Sequence, residues 1–85
     1  MFNPVKNPKH YVGDGKISCM DALKSMLHVV DGKDVKLSPM VIYWWSCAFK
    51  YLWRWPMKNM KQDIDKCRQC LDYLEDELEV NIDGN

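Results

Sequence analysis

The hydrophobic residues of this chain follow helical spacing in three stretches, and the middle stretch is the most apolar. It covers residues 38–59 (SPMVIYWWSCAFKYLWRWPMKN) and contains all four tryptophans. Ser38 is a favourable N-cap and Pro39 a favourable first helical residue, while Pro56 disfavours helix in the residue before it. The pattern therefore predicts a helix over 39–55. Because nearly every face of that helix is apolar, we expect it to be buried at the centre of the fold.

Two flanking stretches also repeat at helical spacing. Before the central segment, the repeating apolar residues are Cys19, Ala22, Leu23, Met26, Leu27 and Val30. After it they are Met60, Ile64, Cys67, Leu71, Leu74 and Leu78, which alternate between spacings of four and three. These repeats predict helices over 18–30 and 61–79. The second has a narrow apolar seam that suits packing along a neighbouring helix.

The fold class predicted from these patterns is all-α, with three principal helices. A chain of 85 residues is expected to form one small domain over 1–85. Residues 1–17 are interrupted by two prolines and two glycines and are expected to form an extended arm. The helical body then covers 18–79, and residues 80–85 are expected to be a loose acidic tail.

The central helix carries more aromatic surface than two flanking helices can cover. Its large apolar residues point in several directions around the helix axis and are Trp44, Trp45, Phe49, Leu52 and Trp53. A monomer that exposed so much apolar area would be unusual. We therefore predict a homo-oligomer, most simply a two-fold dimer or a tetramer built from such dimers.

Composition and charge limit the class of protein. The chain is 47% hydrophobic and 28% charged, which is typical of a globular domain rather than of a disordered segment. Its net charge is zero, so general nucleic-acid binding is not expected. The balance is uneven, because residues 1–71 hold all 12 Lys and Arg with six acids, whereas 72–85 hold six acids and no base. The chain thus has a basic body and an acidic end.

Four cysteines raise the question of a disulfide or a zinc site. Cys67 and Cys70 have C-x-x-C spacing, but Cys19 and Cys47 stand alone and no paired histidines complete a metal site. We expect reduced thiols that act as small hydrophobic side chains, with no metal and no cofactor. No secretory segment is recognisable, and the central helix is shorter than the roughly 20 apolar residues that span a bilayer. A cytoplasmic location without membrane association is therefore expected.

The polar residues of the central helix fall on one narrow stripe. They are Tyr43, Ser46, Cys47, Lys50 and Arg54, spaced mostly three or four residues apart. One interpretation is a solvated stripe whose cations reach water along their aliphatic stems. The other is a pocket lining in which Lys50 and Arg54 hold an anion, because two cations close together on a mostly buried helix repel each other. The pattern alone leaves both interpretations open.

No catalytic signature is present in the sequence. The phosphate-binding loop GxxxxGK(S/T), the nucleophile motif GxSxG and the zinc motif HExxH are all absent. Close acidic pairs such as Asp63 and Asp65 are more typical of a solvated helix face than of acid–base catalysis. A magnesium site at Asp63 is the less favoured alternative. Enzymatic activity is therefore not expected.

Four short blocks of the sequence occur in a recognisable order. They are residues 7–11 (NPKHY), 17–22 (ISCMDA), 50–55 (KYLWRW) and 63–66 (DIDK), the last followed by Tyr73 and Leu74. In this order they resemble a family of small phage proteins of unknown function, often described as nucleotide kinase-like. The KYLWR block is the most specific of them. Ser18 stands where the family has Glu, and Ser46-Cys47 where it has Gly-Asn, so the chain resembles a divergent member.

The resemblance implies a phage protein that is linked to nucleotides and acts in the cytoplasm of an infected bacterial host. It also implies a set of ligand-binding residues, namely His10, Tyr11, Lys50, Trp53, Arg54, Lys58 and Asn59. In such a site the cations would neutralise phosphates, an aromatic ring would stack on a base, and the imidazole and the amide would hydrogen-bond to the ligand.

The predicted function is binding and sequestration of a nucleotide-derived host defence signal, a class that includes cyclic nucleotides. Two alternatives stay open. One is a role in nucleotide metabolism related to phage nucleoside monophosphate kinases, and the other is a protein-binding inhibitor that docks onto a host enzyme through exposed aromatic residues. If the polar stripe is the site, alanine at Lys50 or at Arg54 is expected to abolish binding while the fold survives.

Overall fold

The computed structural model describes residues 9–32 and 34–83 of the chain. All regular structure in these ranges is helical, which confirms the predicted all-α class. The helices are α1 (Cys19–Met26), α2 (His28–Asp31), α3 (Pro39–Arg54) and α4 (Lys61–Asp83), with 3-10 turns at Lys9–Tyr11 and Trp55–Met57. The predicted principal helices correspond to α1, α3 and α4. None of these described helices combines the length and the apolar character needed to cross a membrane.

The observed helix bounds differ from the predictions at three places. The central helix ends at Arg54, one residue early. The first helix, predicted over 18–30, is interrupted at Leu27, whose backbone (φ −80°, ψ −1°) separates α1 from α2. The last helix continues to Asp83, so residues 80–83 are helical and the prediction of a loose tail is wrong for them. Leucine and glutamate are good helix formers, and they outweigh the unfavourable acidic charge near the end of α4.

The predicted arm and tail reach beyond the described part of the chain, because residues 1–8 and 84–85 lie outside it. Within the arm, Lys9–Tyr11 form a single 3-10 turn rather than extended chain. Gly13 and Gly15 then have positive φ values of 60° and 86°, which turn the chain towards the start of α1.

The predicted cap of α3 at Ser38 is present, and Ser18 caps α1. Ser18 Oγ accepts a hydrogen bond from the Asp21 backbone N–H at 3.1 Å, and Asp21 Oδ2 accepts one from the Ser18 N–H at 3.3 Å. This reciprocal pair is a complete capping box. Ser38 Oγ accepts from the Val41 N–H at 3.3 Å, and Pro39 occupies the first position of α3. The caps fix the starts of α1 and α3.

Helices α3 and α4 pack side by side in opposite directions. The contact is made by small buried side chains, Ala48 of α3 against Cys67 and Cys70 of α4. The Cys67 thiol donates to the Ala48 carbonyl at 3.4 Å, and further along the pair the ring of Trp44 lies 4.6 Å from that of Tyr73. Burial raises the pKa of both Cys67 and Cys70. The prediction that Cys67 acts as a small hydrophobic residue is confirmed.

Helix α3 is the middle helix of a thin layer. It contacts both α1 and α4 and lies between them. The molecule measures 49 × 31 × 17 Å along its principal axes, and the shortest of these is less than two helix diameters of roughly 10–12 Å. Only three residues of α3 are buried, Val41, Ala48 and Arg54. The prediction of a helix buried on nearly every face is therefore wrong, because the layer leaves two faces of α3 open.

Candidate functional site

A buried ion pair lies at the C-terminal end of α3. Arg54 Nε and Nη2 each donate to one carboxylate oxygen of Asp63 at 3.2 Å. The Asp63 side chain is fully buried, and Arg54 is 9% exposed. Two parallel N–H···O bonds between a guanidinium and a carboxylate are a strong and specific geometry. The pair therefore fixes the end of α3 against the first turn of α4.

Two further residues complete this network. Tyr11 Oη accepts a 2.7 Å hydrogen bond from Arg54 Nη1. The Asn59 side-chain amide donates to Asp63 Oδ1 at 3.1 Å, and the Asn59 backbone N–H donates to Asp63 Oδ2 at 3.4 Å. The arm and the turn after Pro56 thus both meet the end of α3.

Asp63 supplies an anion to Arg54, one member of the predicted cation pair, and does not pair with Lys50. Arg54 therefore does not need an external anion, and replacing it with alanine would leave a buried carboxylate unpaired instead of removing only a ligand contact. The interpretation of Asp63 as part of a solvated face is wrong. The carboxylate oxygens of Asp63 accept hydrogen bonds from N–H groups of Arg54 and Asn59. Among the described residues, no group of three or more potential metal ligands occurs.

The ion pair makes stability depend on pH. Burial by itself raises the pKa of Asp63, but hydrogen bonds from Arg54 and Asn59 offset burial, and the pKa is lowered overall. An unfolded aspartate titrates near about 3.9, so Asp63 stabilises the fold above that pH. The stabilisation that Asp63 provides is lost as the pH falls through the pKa of Asp63 in the folded protein, which is lower than that in the unfolded chain.

We therefore expect the free energy of unfolding in urea to decrease below about pH 4, the range in which carboxylates of the unfolded chain take up protons. A carbon NMR titration of the carboxyl groups is expected to place the Asp63 pKa below the ordinary aspartate value. A carboxyl of Asp63 that titrated at or above that value would contradict the prediction.

A pocket of about 360 Å³ opens on one face of the helix layer. It is formed by the first 3-10 turn, the start of α1 and the middle of α3. The lining residues are Tyr11, Val12, Ser18, Cys19, Met20, Leu23, Tyr43, Ser46, Cys47 and Lys50. The walls are mostly apolar, and the strongly polar side chains among the described lining residues are those of two tyrosines, two serines and one lysine. Four of the five residues of the polar stripe line this pocket, and the fifth, Arg54, is paired with Asp63 and does not line it. Anion binding by the stripe stays a prediction.

Lys50 is the cation of this pocket. Its Nζ lies 5.2 Å from the ring centroid of Tyr51, and it makes no ion pair within residues 9–32 and 34–83. Burial raises the pKa of the neighbouring Cys19 thiol, although the charge of Lys50 acts to lower it. The pocket thus presents a positive charge that no carboxylate of the described chain neutralises, beside a thiol that stays protonated near neutral pH.

His10 and Lys58 lie beside the Arg54 network and outside the pocket lining. The His10 ring is 4.2 Å from the ring of Tyr11. Burial, followed by the charges of Lys58 and Arg54, lowers the pKa of His10, so the imidazole is neutral near pH 7. Lys58 is exposed. Neither residue contacts the pocket that contains Lys50 and Tyr11.

Trp53 packs within the fold. Its ring lies 5.9 Å from that of Phe49, and its edge lies against Gly13. Of the seven predicted ligand-binding residues, the structure brings Tyr11 and Lys50 to the pocket. Tyr11 also joins the pocket to the buried network, because its ring lines the first and its hydroxyl belongs to the second.

The sequence prediction missed two parts of this region. One is the role of Asp63 as the partner of Arg54, which the sequence does indicate. A buried arginine on an apolar helix needs a negatively charged partner, and Asp63 is the first acidic residue after Arg54. The other is the wall that Ser18, Cys19 and Leu23 contribute from α1. No local pattern indicates this wall, because it depends on how α1 packs against α3.

A comparison with known protein families, curated proteins and solved structures finds no match to this chain. The resemblance of the four sequence blocks to phage proteins therefore stays a prediction, and so does a phage origin. A fold of three helices is compatible with many functions, so the function has to be inferred from the chemistry of the pocket.

Proposed function

We propose that this protein is a phage protein that binds and sequesters a small nucleotide-derived signal of host defence, such as a cyclic mononucleotide. The observation that carries the proposal is the pocket itself, in which a mostly apolar lining includes the cationic residue Lys50. Such a pocket suits a ligand that combines a flat apolar body with one anionic group. A nucleotide with one phosphate has this combination. The phage origin and the link to host defence rest on the resemblance of the sequence blocks.

The size and the lining of the pocket support a ligand no larger than a mononucleotide. Its volume of about 360 Å³ is at the lower end of the range of roughly 300–1,000 Å³ that ligand pockets occupy. The ring of Tyr11 offers a surface on which a base can stack, a contact worth about 1–3 kcal/mol. The ammonium of Lys50 would then pair with the phosphate.

The two serines of the lining offer complementary hydrogen bonds. Ser18 Oγ accepts from the Asp21 N–H, so its hydroxyl proton is available to donate to a phosphate or ribose oxygen. Ser46 Oγ donates to the Ile42 carbonyl at 2.8 Å, so its oxygen is available to accept from a ribose hydroxyl or a base amino group. A nucleotide carries both kinds of group.

Binding without turnover fits this lining better than catalysis. The residues that line the pocket in the described part of the chain include no carboxylate and no imidazole. General acid–base catalysis near neutral pH needs a group that titrates there, and burial raises the pKa of the Cys19 thiol. The alternative role in nucleoside monophosphate phosphorylation would need phosphoryl-transfer groups that the lining does not supply.

Replacing Lys50 with alanine is expected to abolish ligand binding, because it removes the only cation among the described residues that line the pocket. A thermal-shift screen of the wild-type protein against 3′,5′-cyclic nucleotides and nucleoside 5′-monophosphates identifies the ligand. At 100 times Kd a ligand stabilises by about 2.7 kcal/mol, which corresponds to a rise in Tm of about 11–22 °C for a domain of this size. In Lys50→Ala this rise should disappear.

Lys66→Ala is the matched control. The Lys66 ammonium lies 5.7 Å from the Tyr51 ring, a distance similar to that of Lys50, but Lys66 does not line the pocket. This variant should keep the full rise in Tm, and circular dichroism should show that both variants are folded. If no nucleotide raised the Tm at millimolar concentration, or if Lys50→Ala bound as tightly as the wild type, the proposed function would be wrong.

A further inference from the structure

The side of the α3/α4 pair that is turned away from the pocket is apolar and partly uncovered. At 3.6 residues per turn, two rows of large apolar side chains lie on this side. The row on α3 is Trp45, Phe49 and Leu52, and the row on α4, which repeats every seven residues, is Ile64, Leu71 and Leu78. Leu52 is 60% exposed, Leu71 43% and Leu78 39%. We call this surface the apolar face, and its residues are Trp45, Phe49, Leu52, Ile64, Leu71 and Leu78.

The two rows lie on the same side because α3 and α4 are antiparallel. The ion pair between Arg54 and Asp63 and the contact between Trp44 and Tyr73 fix the direction. Successive residues of a helix are rotated by about 100°. When each helix is viewed from its own N-terminus, its row of apolar side chains lies about a quarter turn clockwise from the side that contacts the other helix. In an antiparallel pair this geometry brings both rows to one continuous surface.

The area that the chain exposes is larger than that of a compact monomer. The accessible area is 6524 Å², whereas a folded monomer of 10.1 kDa exposes about 5,300 Å². The radius of gyration is 14.6 Å, against about 12 Å for a compact domain of this length. Part of this exposed area lies on the apolar face, where Leu52, Leu71 and Leu78 are each more than a third exposed, and a stable interface buries roughly 800 Å² on each partner. A second layer packed on the apolar face would complete a two-layer core.

We propose that a second copy of this chain covers the apolar face, with the two α4 helices antiparallel across a two-fold axis near Leu71. The charges of α4 favour this arrangement. Residues 72–79 carry five acids and no base, whereas 61–68 carry three bases and two acids, and these acids pair with Arg54 and Lys61. Parallel α4 helices would place acids against acids, while antiparallel helices place each acidic half beside the half that carries Lys66 and Arg68.

Arg68 and Glu75 are the pair that this symmetry brings together. They flank Leu71 on α4, three residues before it and four after it, and both are exposed. Neither makes an ion pair with a described residue of its own chain. A two-fold axis at Leu71 puts Arg68 of each copy opposite Glu75 of the other, so the pair forms twice. The pockets then open on the two outer surfaces of the dimer.

The first test is the mass in solution. Light scattering of the wild-type protein at micromolar concentration is expected to give twice the chain mass of 10.1 kDa. Leu71→Asp should give the mass of one chain, because it places a charge at the centre of the interface. Its helical circular dichroism should be retained, since Leu71 is 43% exposed in the single chain. Gln69→Asp, an exposed position on the other side of α4, should remain a dimer.

The second test exchanges the two charges. Arg68→Glu and Glu75→Arg should each weaken dimerisation by about tenfold, because each creates two like-charge contacts by symmetry. The double variant Arg68→Glu with Glu75→Arg should restore the affinity of the wild type. A wild-type monomer at micromolar concentration, a dimer that Leu71→Asp leaves intact, or a double variant no tighter than the single ones would each overturn the proposal.

Discussion

Asp63→Ala is expected to destabilise the fold by about 3–5 kcal/mol, the usual cost of removing one partner of a buried ion pair. The substitution leaves Arg54, which is 9% exposed, without its counter-ion and removes the acceptor of two hydrogen bonds from Asn59. A chain of 85 residues has a total stability of about 4–13 kcal/mol. Urea denaturation followed by circular dichroism should therefore show a midpoint far below that of the wild type.

Two variants separate the ion pair from other effects of the substitution. Asp65→Ala removes an exposed pair with Lys61, whose side chains are 54% and 85% exposed, and should cost less than about 1 kcal/mol. Arg54→Met combined with Asp63→Leu replaces the pair by apolar side chains and should recover most of the stability. A loss below about 1 kcal/mol in Asp63→Ala would show that the pair does not hold α3 to α4.

Gly13→Ala is expected to cost about 2–4 kcal/mol, the sum of backbone strain and overpacking. Gly13 has φ +60°, in the left-handed region that disfavours any residue with a Cβ. An added Cβ would lie 2.8 Å from the Ile17 carbonyl oxygen and 2.9 Å from Cζ2 of Trp53. Neither atom is at the end of a flexible side chain, so the loop beside the pocket would have to move. Urea denaturation measures the loss of stability.

Gly15→Ala is the matched control for this effect. Gly15 also has a positive φ, of 86°, but no atom lies within 4 Å of an added Cβ. This variant should lose only the strain of about 1–2 kcal/mol. The difference between the two alanine variants therefore measures the close contacts of Gly13 with Ile17 and Trp53. Equal losses in both would mean that this contact does not constrain the loop.

The parts of the fold that could be predicted from the sequence are those that local signals specify. Ser38 and Pro39 mark the start of α3, and Ser18 marks the start of α1, because a cap is formed by residues next to each other in the chain. The stripe that includes Lys50 was predictable as one face of a helix for the same reason. The structure places four residues of this stripe in the lining of a pocket and pairs the fifth, Arg54, with Asp63.

The rest depends on how the helices are placed relative to one another. A carboxylate in the first turn of a helix, such as Asp63, has the same local pattern as an exposed helix-stabilising acid, and only the position of Arg54 makes it a buried partner. The pocket wall from α1 and the open faces of α3 also depend on this placement. Hydrophobic periodicity shows which face of a helix is apolar but not what covers it.

The hydrogen bond between Tyr11 and Arg54 joins residues 43 positions apart, whereas Arg54 and Asp63 are nine apart. Closing a long loop costs more chain entropy than closing a short one, so the α3–turn–α4 hairpin is expected to fold first and the arm to dock onto it afterwards. Opening follows the reverse order, and the arm and α1 can detach while the hairpin stays folded. The pocket lies between these two folding units. A bound ligand would therefore slow the detachment of the arm, and its residence time would be set by how often that half of the molecule opens.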